Sequence, residues 1–409
     1  MTGPGNVVVV NDTAYVNGGA AKVAIASSIG LAKSGWDVSF FAAVGPVDPE
    51  LSQCQGLTVT CNNQFEILSD PNRFRAMTQG LWNVPARQAM LKLLDDLDPD
   101  KTVVHIHLWA KALSSSVVSA AIDRKFRVVV TLHDYLYTCP SGTLFNHRKG
   151  AICNLKPMSV ACLTTNCDSR NYVHKIWRTT RHTIEHSAGG FRDGSISFVA
   201  LGKHSLDVIA RGLPSRADVR FIPNFVDMEK PEPAVVAENE GFAFSGRLVA
   251  EKGCTLAAAA AQLCGARMTF IGDGEQRDQV AEINPSSRIT GWLPHAEGVK
   301  ALRNSRALVF PSLWLEVQPL VILEAAANGI PVILPDCSAA RDLVEDQVTG
   351  LWFRMGDAKD LAEKLTALKD PVLASRLGAA SYEKYWSSPP TLARHLEKLE
   401  AFYHDILRN

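Results

Sequence analysis

PNFVDMEKPEPAVVAENE, residues 223–240, divides the chain. With prolines at 223, 231 and 233, several acids and no usable periodicity, it has the composition of a linker or hinge. On either side, short β-branched runs alternate with helical stretches. NVVVV (6–10), DVSFFAA (37–43), TVVHIH (102–107), RVVVTLHD (127–134), SFVALG (197–202) and VRFIP (219–223) precede it. FAFSGR (242–247), RMTFIG (267–272), RIT (288–290), ALVFPS (307–312), PVILP (331–335) and LWF (351–353) follow it. Continuous apolar strands separated by helices indicate buried parallel sheets built from βαβ units. The expected fold class is therefore α/β, with two Rossmann-like lobes at 1–226 and 227–385. The tail, 386–409, reads as proline-interrupted helix with Leu392, His395, Leu396, Leu399 and Phe402 at helical spacing. It needs an apolar surface and is expected to pack back on the first lobe.

The totals agree with two lobes and a cleft: 409 residues exceed one ordinary core. Forty-two basic and 42 acidic side chains leave a formal net charge of zero, so no overall field attracts nucleic acid or an anionic membrane. Only a local basic patch could do that. MTGPGNVVVV has neither a cationic n-region nor a long apolar h-region, and the reading is a cytoplasmic protein. Nine cysteines, mostly scattered, do not resemble a secreted disulfide framework.

Open α/β sheets bind ligands at the C-terminal ends of their strands, where helix N-termini gather. Gly18 and Gly19 lie between the first strand and a long helix, where they would let backbone approach an anion; a plain tight turn is the alternative. The spacing is not G-x-G-x-x-G, which counts against an oxidoreductase. In SGRLVAEKG, Arg247 follows a strand and Lys252 comes five residues on, a fork donor and a point charge that suit a diphosphate. IGDGEQ sets Gly272 and Gly274 around Asp273, whose plainer role is an Asx-type turn. GWLPH (291–295) has a similar address without distinctive chemistry.

In WLEVQPLVILEAAANG (314–329), Glu316 precedes an apolar helix and Glu324 lies inside it. Eight helical residues bring the two side chains within about 80° of each other, so both can face a cleft. A carboxylate there can accept from the two hydroxyls of a vicinal diol; the alternative is a structural tie to a backbone donor or arginine.

SGRLVAEKG, IGDGEQ and PSLWLEVQPLVILEAAANG, in this order and spacing, resemble the C-terminal lobe of family-4 retaining nucleotide-sugar glycosyltransferases, whose two Rossmann-like domains face each other in the GT-B fold. The Gly18-Gly19 loop and the strand-end His133-Asp134 extend the resemblance to the first lobe. It implies a UDP- or GDP-sugar donor and a glycan or lipid-linked acceptor. Arg247 and Lys252 would hold the donor diphosphate, Glu324 the ribose hydroxyls, and Glu316 would face the transferred sugar. Gly19, Gly272, Asp273 and Leu320 would line the donor site, and His133 would stand beside the anomeric centre. The commonest family pattern has Gly-Phe-Gly after the first glutamate; here Val317-Gln318-Pro319 stands there, and Pro319 lacks an N–H.

Fixed cations can stabilise a leaving diphosphate without a metal, and the D-x-D strings of DDLDPD (95–100) read as a solvated helix end. Retention of configuration comes from the resemblance. Asp134 is the sole placed carboxylate for a double displacement on the first lobe, and front-face departure and attack fits better.

Cys139, Cys153, Cys162 and Cys167 fall within a loop at 138–168 that has no periodicity. A structural Zn²⁺ site, disulfides and free thiols are all open for them, since no C-x₂-C pair is present. NYVHKIWRTTRHTIEH (171–186) then combines Lys175, Arg178 and Arg181 with Tyr172, Ile176 and Trp177 on one helix. That pattern suits a peripheral contact with anionic lipid, or a solvated face over a packed Trp. Two further functions compete: a GT-B-like sugar-nucleotide epimerase, which would need acid/base carboxylates around the sugar and no acceptor, and a catalytically silent GT-B binding protein. Nucleoside diphosphate release with and without acceptor separates the three.

Overall fold

The computed structural model describes residues 5–192, 194–214 and 216–408. The first lobe is one parallel sheet of seven strands: β1 (Asn6–Thr13), β2 (Asp37–Val44), β3 (Leu57–Cys61), β4 (Thr102–Ile106), β5 (Arg127–Thr131), β6 (Ile196–Ala200) and β7 (Val219–Phe221). Their order across the sheet is β3-β2-β1-β4-β5-β6-β7. The second lobe is a parallel sheet of β8 (Phe242–Ser245), β9 (Met268–Ile271), β10 (Arg288–Ile289), β11 (Leu308–Val309), β12 (Val332–Pro335) and β13 (Gly350–Phe353), ordered β10-β9-β8-β11-β12-β13. In each, the first strand of the lobe lies inside the sheet and the order reverses beside it. That switch point is where loops splay apart and leave a ligand crevice.

The apolar runs form strands because both sheet faces are covered. Val7, Val8, Val9 and Val10 are buried on alternating sides of β1, so every position profits from a β-branched side chain. Leu57–Cys61 escaped the sequence reading: LTVTC is an edge strand whose threonines break the apolar run. The 138–168 loop is also more ordered than its composition suggests, with a two-stranded ribbon (Phe145–Asn146 with Ala151–Ile152) and a short helix at Val160–Thr164.

Four helices carry residues of the cleft or of the surface beside it: α1 (Gly19–Lys33), α2 (Arg73–Leu81), α3 (Tyr172–Ser187) and α4 (Leu320–Ala327). The linker after Pro223 carries the chain into the second lobe with only a 3₁₀ turn at Val236–Glu238. A last helix, α5 (Leu392–Arg408), then returns. Leu396, Leu399, Phe402, Tyr403 and Ile406 join the core of the first lobe. The helix comes so close to α1 that a Cβ on Gly30 would stand 2.5 Å from Leu396 Cδ1. Glycine is thus the residue that admits the tail. Leu399→Ala is expected to cost about 2–5 kcal/mol by opening a cavity between α1 and α5, measured as a drop in the urea midpoint; a change below about 1 kcal/mol would show that the tail adheres only loosely.

Candidate functional site

The loop leaving β8 begins at Gly246 and closes at Gly253, which adopts φ 67° and could not carry a Cβ: that atom would lie 2.1 Å from the Pro311 carbonyl oxygen. The close approach brings the Lys252 loop against the strand end from which Glu316 descends. Lys252 Nζ forms a short charge-assisted bond with Glu316 Oε1, and the Ser312 hydroxyl donates to the same oxygen at 3.0 Å. Glu316 is buried, and the pairing is what permits a carboxylate there. The Lys252 ammonium also lies 5.6 Å from the Trp314 ring centre. Arg247 behaves differently. Its side chain is 60% exposed, with Glu251 at 3.8 Å, so its fork of donors stays open to an incoming anion.

Glu324 sits on α4, which starts just after Pro319; the fixed φ of proline suits entry into a helix. Its Oε1 meets His295 Nε2 at 2.8 Å and Lys22 Nζ at 3.7 Å, and Lys22 approaches His295 at 3.2 Å. Lys22 belongs to α1, so this three-residue contact crosses between the lobes. Gly19 lies alongside, where a Cβ would meet Leu320 Cδ1 at 3.5 Å. Gly19 of the first lobe, with Gly18 beside it, therefore meets Leu320 and Glu324 of the second across one end of the cleft. Neither Lys22 nor His295 stood out in the sequence. Each is a single polar residue in an ordinary helix start, and only the fold brings them together.

Gly272 and Asp273 have local roles. A Cβ on Gly272 would fall 2.0 Å from the Gly246 carbonyl oxygen, which explains the glycine by backbone packing alone. Asp273 Oδ1 accepts from the Gly274 N–H at 2.8 Å and Oδ2 from Arg277 at 3.1 Å, closing its own turn. Val317-Gln318-Pro319 also serves the frame. The Gln318 side-chain carbonyl accepts from the Asn224 backbone N–H at 2.6 Å, and its backbone carbonyl from the Asn224 amide at 3.2 Å, tying the linker to the foot of α4.

Across the cleft, His133 Nε2 stands 2.9 Å from His107 Nδ1, the rings stacked at 5.1 Å. His107 in turn packs at 4.3 Å on His105, which bridges the Tyr403 hydroxyl at 2.6 Å and the Thr131 hydroxyl at 2.7 Å. Desolvation, helped by the field of His395, pushes His133 down to about 3; burial does the same to His105, also to about 3. The stack is thus neutral, so the His133–His107 bond is N–H to lone pair. Sequence inspection missed His107, although H-I-H on a period-two strand places His105 and His107 on one face. Asp134 is pushed up to about 6 by desolvation, partly offset by the Leu136 N–H that donates to Oδ1 at 2.9 Å. A carboxylate engaged in its own turn is a poor nucleophile.

All nine cysteines are free thiols. Among the described residues no group of three or more His, Cys, Asp and Glu is spaced to hold a metal. Instead, the buried Lys175 ammonium points between Cys162 and Cys167, donating to their sulfurs at 3.5 and 3.4 Å, and Cys139 pairs with Ser141 at 3.2 Å. A fixed positive charge against two of the four sulfurs opposes a second cation, so the zinc reading of Cys139, Cys153, Cys162 and Cys167 is not supported by this geometry.

Paired cations at one strand end, a helix-borne carboxylate facing a second lobe, and two parallel sheets define a GT-B glycosyltransferase framework. The chain belongs to glycosyltransferase family 4: residues 17–230 match the model "Glycosyltransferase Family 4" and residues 227–384 match "Glycosyl transferases group 1". It is 30% identical over 303 residues to a glycogen synthase from Mycobacterium tuberculosis, covering 68% of this chain and 71% of that one. It is 30% identical over 219 residues to a sulfoquinovosyl transferase from Arabidopsis thaliana, covering 48% of this chain and 42% of that protein's length. The chain thus spans about half the length of the first curated relatives it matches, 42% and 55%. Sucrose-phosphate synthase from Thermosynechococcus elongatus superimposes with a TM-score of 0.71 at 16% identity, over 99% of both chains. The Anabaena protein HepE, solved with UDP-glucose, gives 0.66 at 15% identity over 98% of this chain and all of that one. No helix among the described residues is long and apolar enough to cross a membrane.

Because the folded histidines take up protons only near pH 3 while unfolded ones do so near 6.5, each contributes stability that is lost as pH falls through that window. The His133 ring should accordingly keep the nitrogen chemical shifts of a neutral imidazole at about pH 5; an imidazolium spectrum at that pH would overturn the stacked, desolvated arrangement.

Proposed function

We propose that the protein is a retaining glycosyltransferase that moves a sugar from a UDP- or GDP-sugar to a hydroxyl of a glycan or lipid-linked acceptor, without a catalytic metal. The observation that carries this reading is the strand-end pair: Arg247 open to solvent and Lys252 preset on Glu316, facing α1 across the cleft. In this reading the two cations take the diphosphate, through bidentate and point-charge contacts respectively. Glu324 exchanges Lys22 and His295 for the two ribose hydroxyls. The UDP-glucose complex of the Anabaena neighbour supports a nucleotide-sugar donor of this kind.

Departure of the diphosphate builds negative charge on its bridging oxygen, and Arg247 and Lys252 stabilise that charge where it develops. Once a phosphate oxygen engages Lys252, Glu316 shares its partner and can turn toward hydroxyls of the transferred sugar. The acceptor attacks from the face the diphosphate leaves, and the departing phosphate oxygen takes its proton. His133, held neutral by its stack, then supplies a hydrogen bond beside the anomeric carbon without competing as a cation for the leaving group. A neutral imidazole there suits a reaction in which positive charge grows on the sugar.

The test is a panel of UDP- and GDP-sugars with nucleoside diphosphate release as the readout, with and without glycan acceptors. Lys252→Ala should lower kcat by about a hundredfold or more, the scale of removing one preorganised donor from a developing charge. Excess EDTA should leave turnover intact. Activity restored only by Mg²⁺, or unchanged turnover in Lys252→Ala, would reject the mechanism.

A further inference from the structure

On the first lobe, α2 and α3 lie side by side and expose apolar side chains that a soluble surface would bury. Phe74 is 72% exposed and Met77 45% on α2; Val173 is 72% and Ile176 52% on α3. Leu68, just before α2, is 62% exposed, and Val160, on the short helix of the 138–168 loop, 77%. These side chains belong to one locked surface. The Trp177 indole donates to the Met77 carbonyl at 3.1 Å, and Gly80 makes room for its ring, since a Cβ there would stand 2.6 Å from Trp177 Cζ2. The Tyr172 hydroxyl donates to the Leu163 carbonyl at 2.7 Å, fastening the short helix to α3. Between α2 and α3 a depression of about 230 Å³ is walled by Ile67, Leu68, Met77, Val173 and Trp177, with Arg73, His174 and Arg178 at its rim and no carboxylate.

Charge singles out the same region. The chain is neutral overall, yet residues 138–187 carry seven lysines and arginines against two acids. Arg148, Lys149 and Arg170 among them are exposed, Arg170 lying 3.5 Å from His174 at the start of α3. Apolar side chains standing clear of a basic segment match the two attractions a bilayer offers, acyl chains and anionic headgroups. We propose that this face docks the protein on an anionic lipid bilayer. A second copy of the chain fits worse, because a symmetric dimer through this face would set the basic segment against its own image. The placement also suits a working enzyme. Asn17, beside Gly18, donates to Glu66 at 3.5 Å, and the Ile67 N–H donates to the Lys111 carbonyl at 2.8 Å, so the docking face adjoins the rim of the cleft. An acceptor anchored in lipid would arrive at that rim.

The inference goes beyond the proposed transfer reaction and is read separately from it. Sedimentation with vesicles of phosphatidylcholine containing about a quarter phosphatidylglycerol should carry the protein down at low salt, and vesicles of phosphatidylcholine alone should carry far less. Phe74→Glu combined with Val173→Glu should reduce the partition constant by about tenfold or more. Both side chains are mostly exposed, so folding and the thermal shift with UDP should be unchanged. Arg148→Glu with Lys149→Glu should abolish the preference for phosphatidylglycerol. The proposal is overturned if the wild type stays in the supernatant at low salt, if the double apolar variant binds as well as wild type, or if the face supports a dimer in velocity sedimentation that the apolar variant abolishes.

Discussion

A buried carboxylate needs a partner, and the second lobe is arranged around that need. Glu316 could not occupy its place beneath the 307–312 strand end without the Lys252 ammonium and the Ser312 hydroxyl. Lys252 in turn is delivered by a loop that turns at Gly253 against the Pro311 carbonyl, a contact no side chain could tolerate. The pair therefore fixes the relation of two strand ends before any ligand arrives. It also leaves the two cations unequal, since Arg247 remains solvated and Lys252 is already engaged. In the proposed reaction an incoming diphosphate would gain one contact outright and share the other, and the shared one, at Lys252, is where negative charge would grow on departure.

The same economy of partners governs the contact between lobes. Lys22 and His295 engage Glu324 in the free protein, while the short His204–Asp342 pair and the Gln318–Asn224 strut hold neighbouring points of the two lobes. Where the commonest family pattern has Gly-Phe-Gly after the first glutamate, Pro319 carries no N–H, and both Gln318 carbonyls accept from Asn224 of the linker. The Lys22–Glu324 bridge is only partly exposed, 40% and 14% for its two side chains, and Val317, just ahead of α4, is buried in the core of the first lobe, so the lobes are joined at the foot of α4 as well as across the cleft.

Both sheets were legible in the sequence because buried parallel strands write themselves as uninterrupted β-branched runs, and the proline-bearing linker marks where one series stops. The edge strand Leu57–Cys61 was not, since its alternating threonines obey an edge and not a core. The positions of Arg247 and Lys252 in the loop after β8, and of Glu316 and Glu324 ahead of and within α4, were legible from spacing. His107 was marked only by the local H-I-H pattern, whereas His295 was hidden because it gains meaning only from Glu324 and Lys22, far along the chain. The packing of the cysteine-rich loop, for which zinc, disulfides and free thiols all stood open, was hidden for a similar reason: nothing in the local spacing of Cys162 and Cys167 reveals that Lys175, on the buried face of α3, will point between their sulfurs.

The tail helix joins these parts. After completing the second lobe the chain crosses back, and α5 buries its apolar stripe on α1 and β4 while Tyr403 reaches His105 beneath the strand ends. From there the contacts run through the stacked rings of His105 and His107 to His133 at the cleft. Each ring in that series is desolvated, so a proton on any one of them would be resisted by burial and by its neighbours together. A helix contributed by the last residues of the chain thus helps to keep neutral an imidazole at the mouth of the first lobe. The covalent return that ties the two lobes also sets the electrostatics of the wall the second lobe faces.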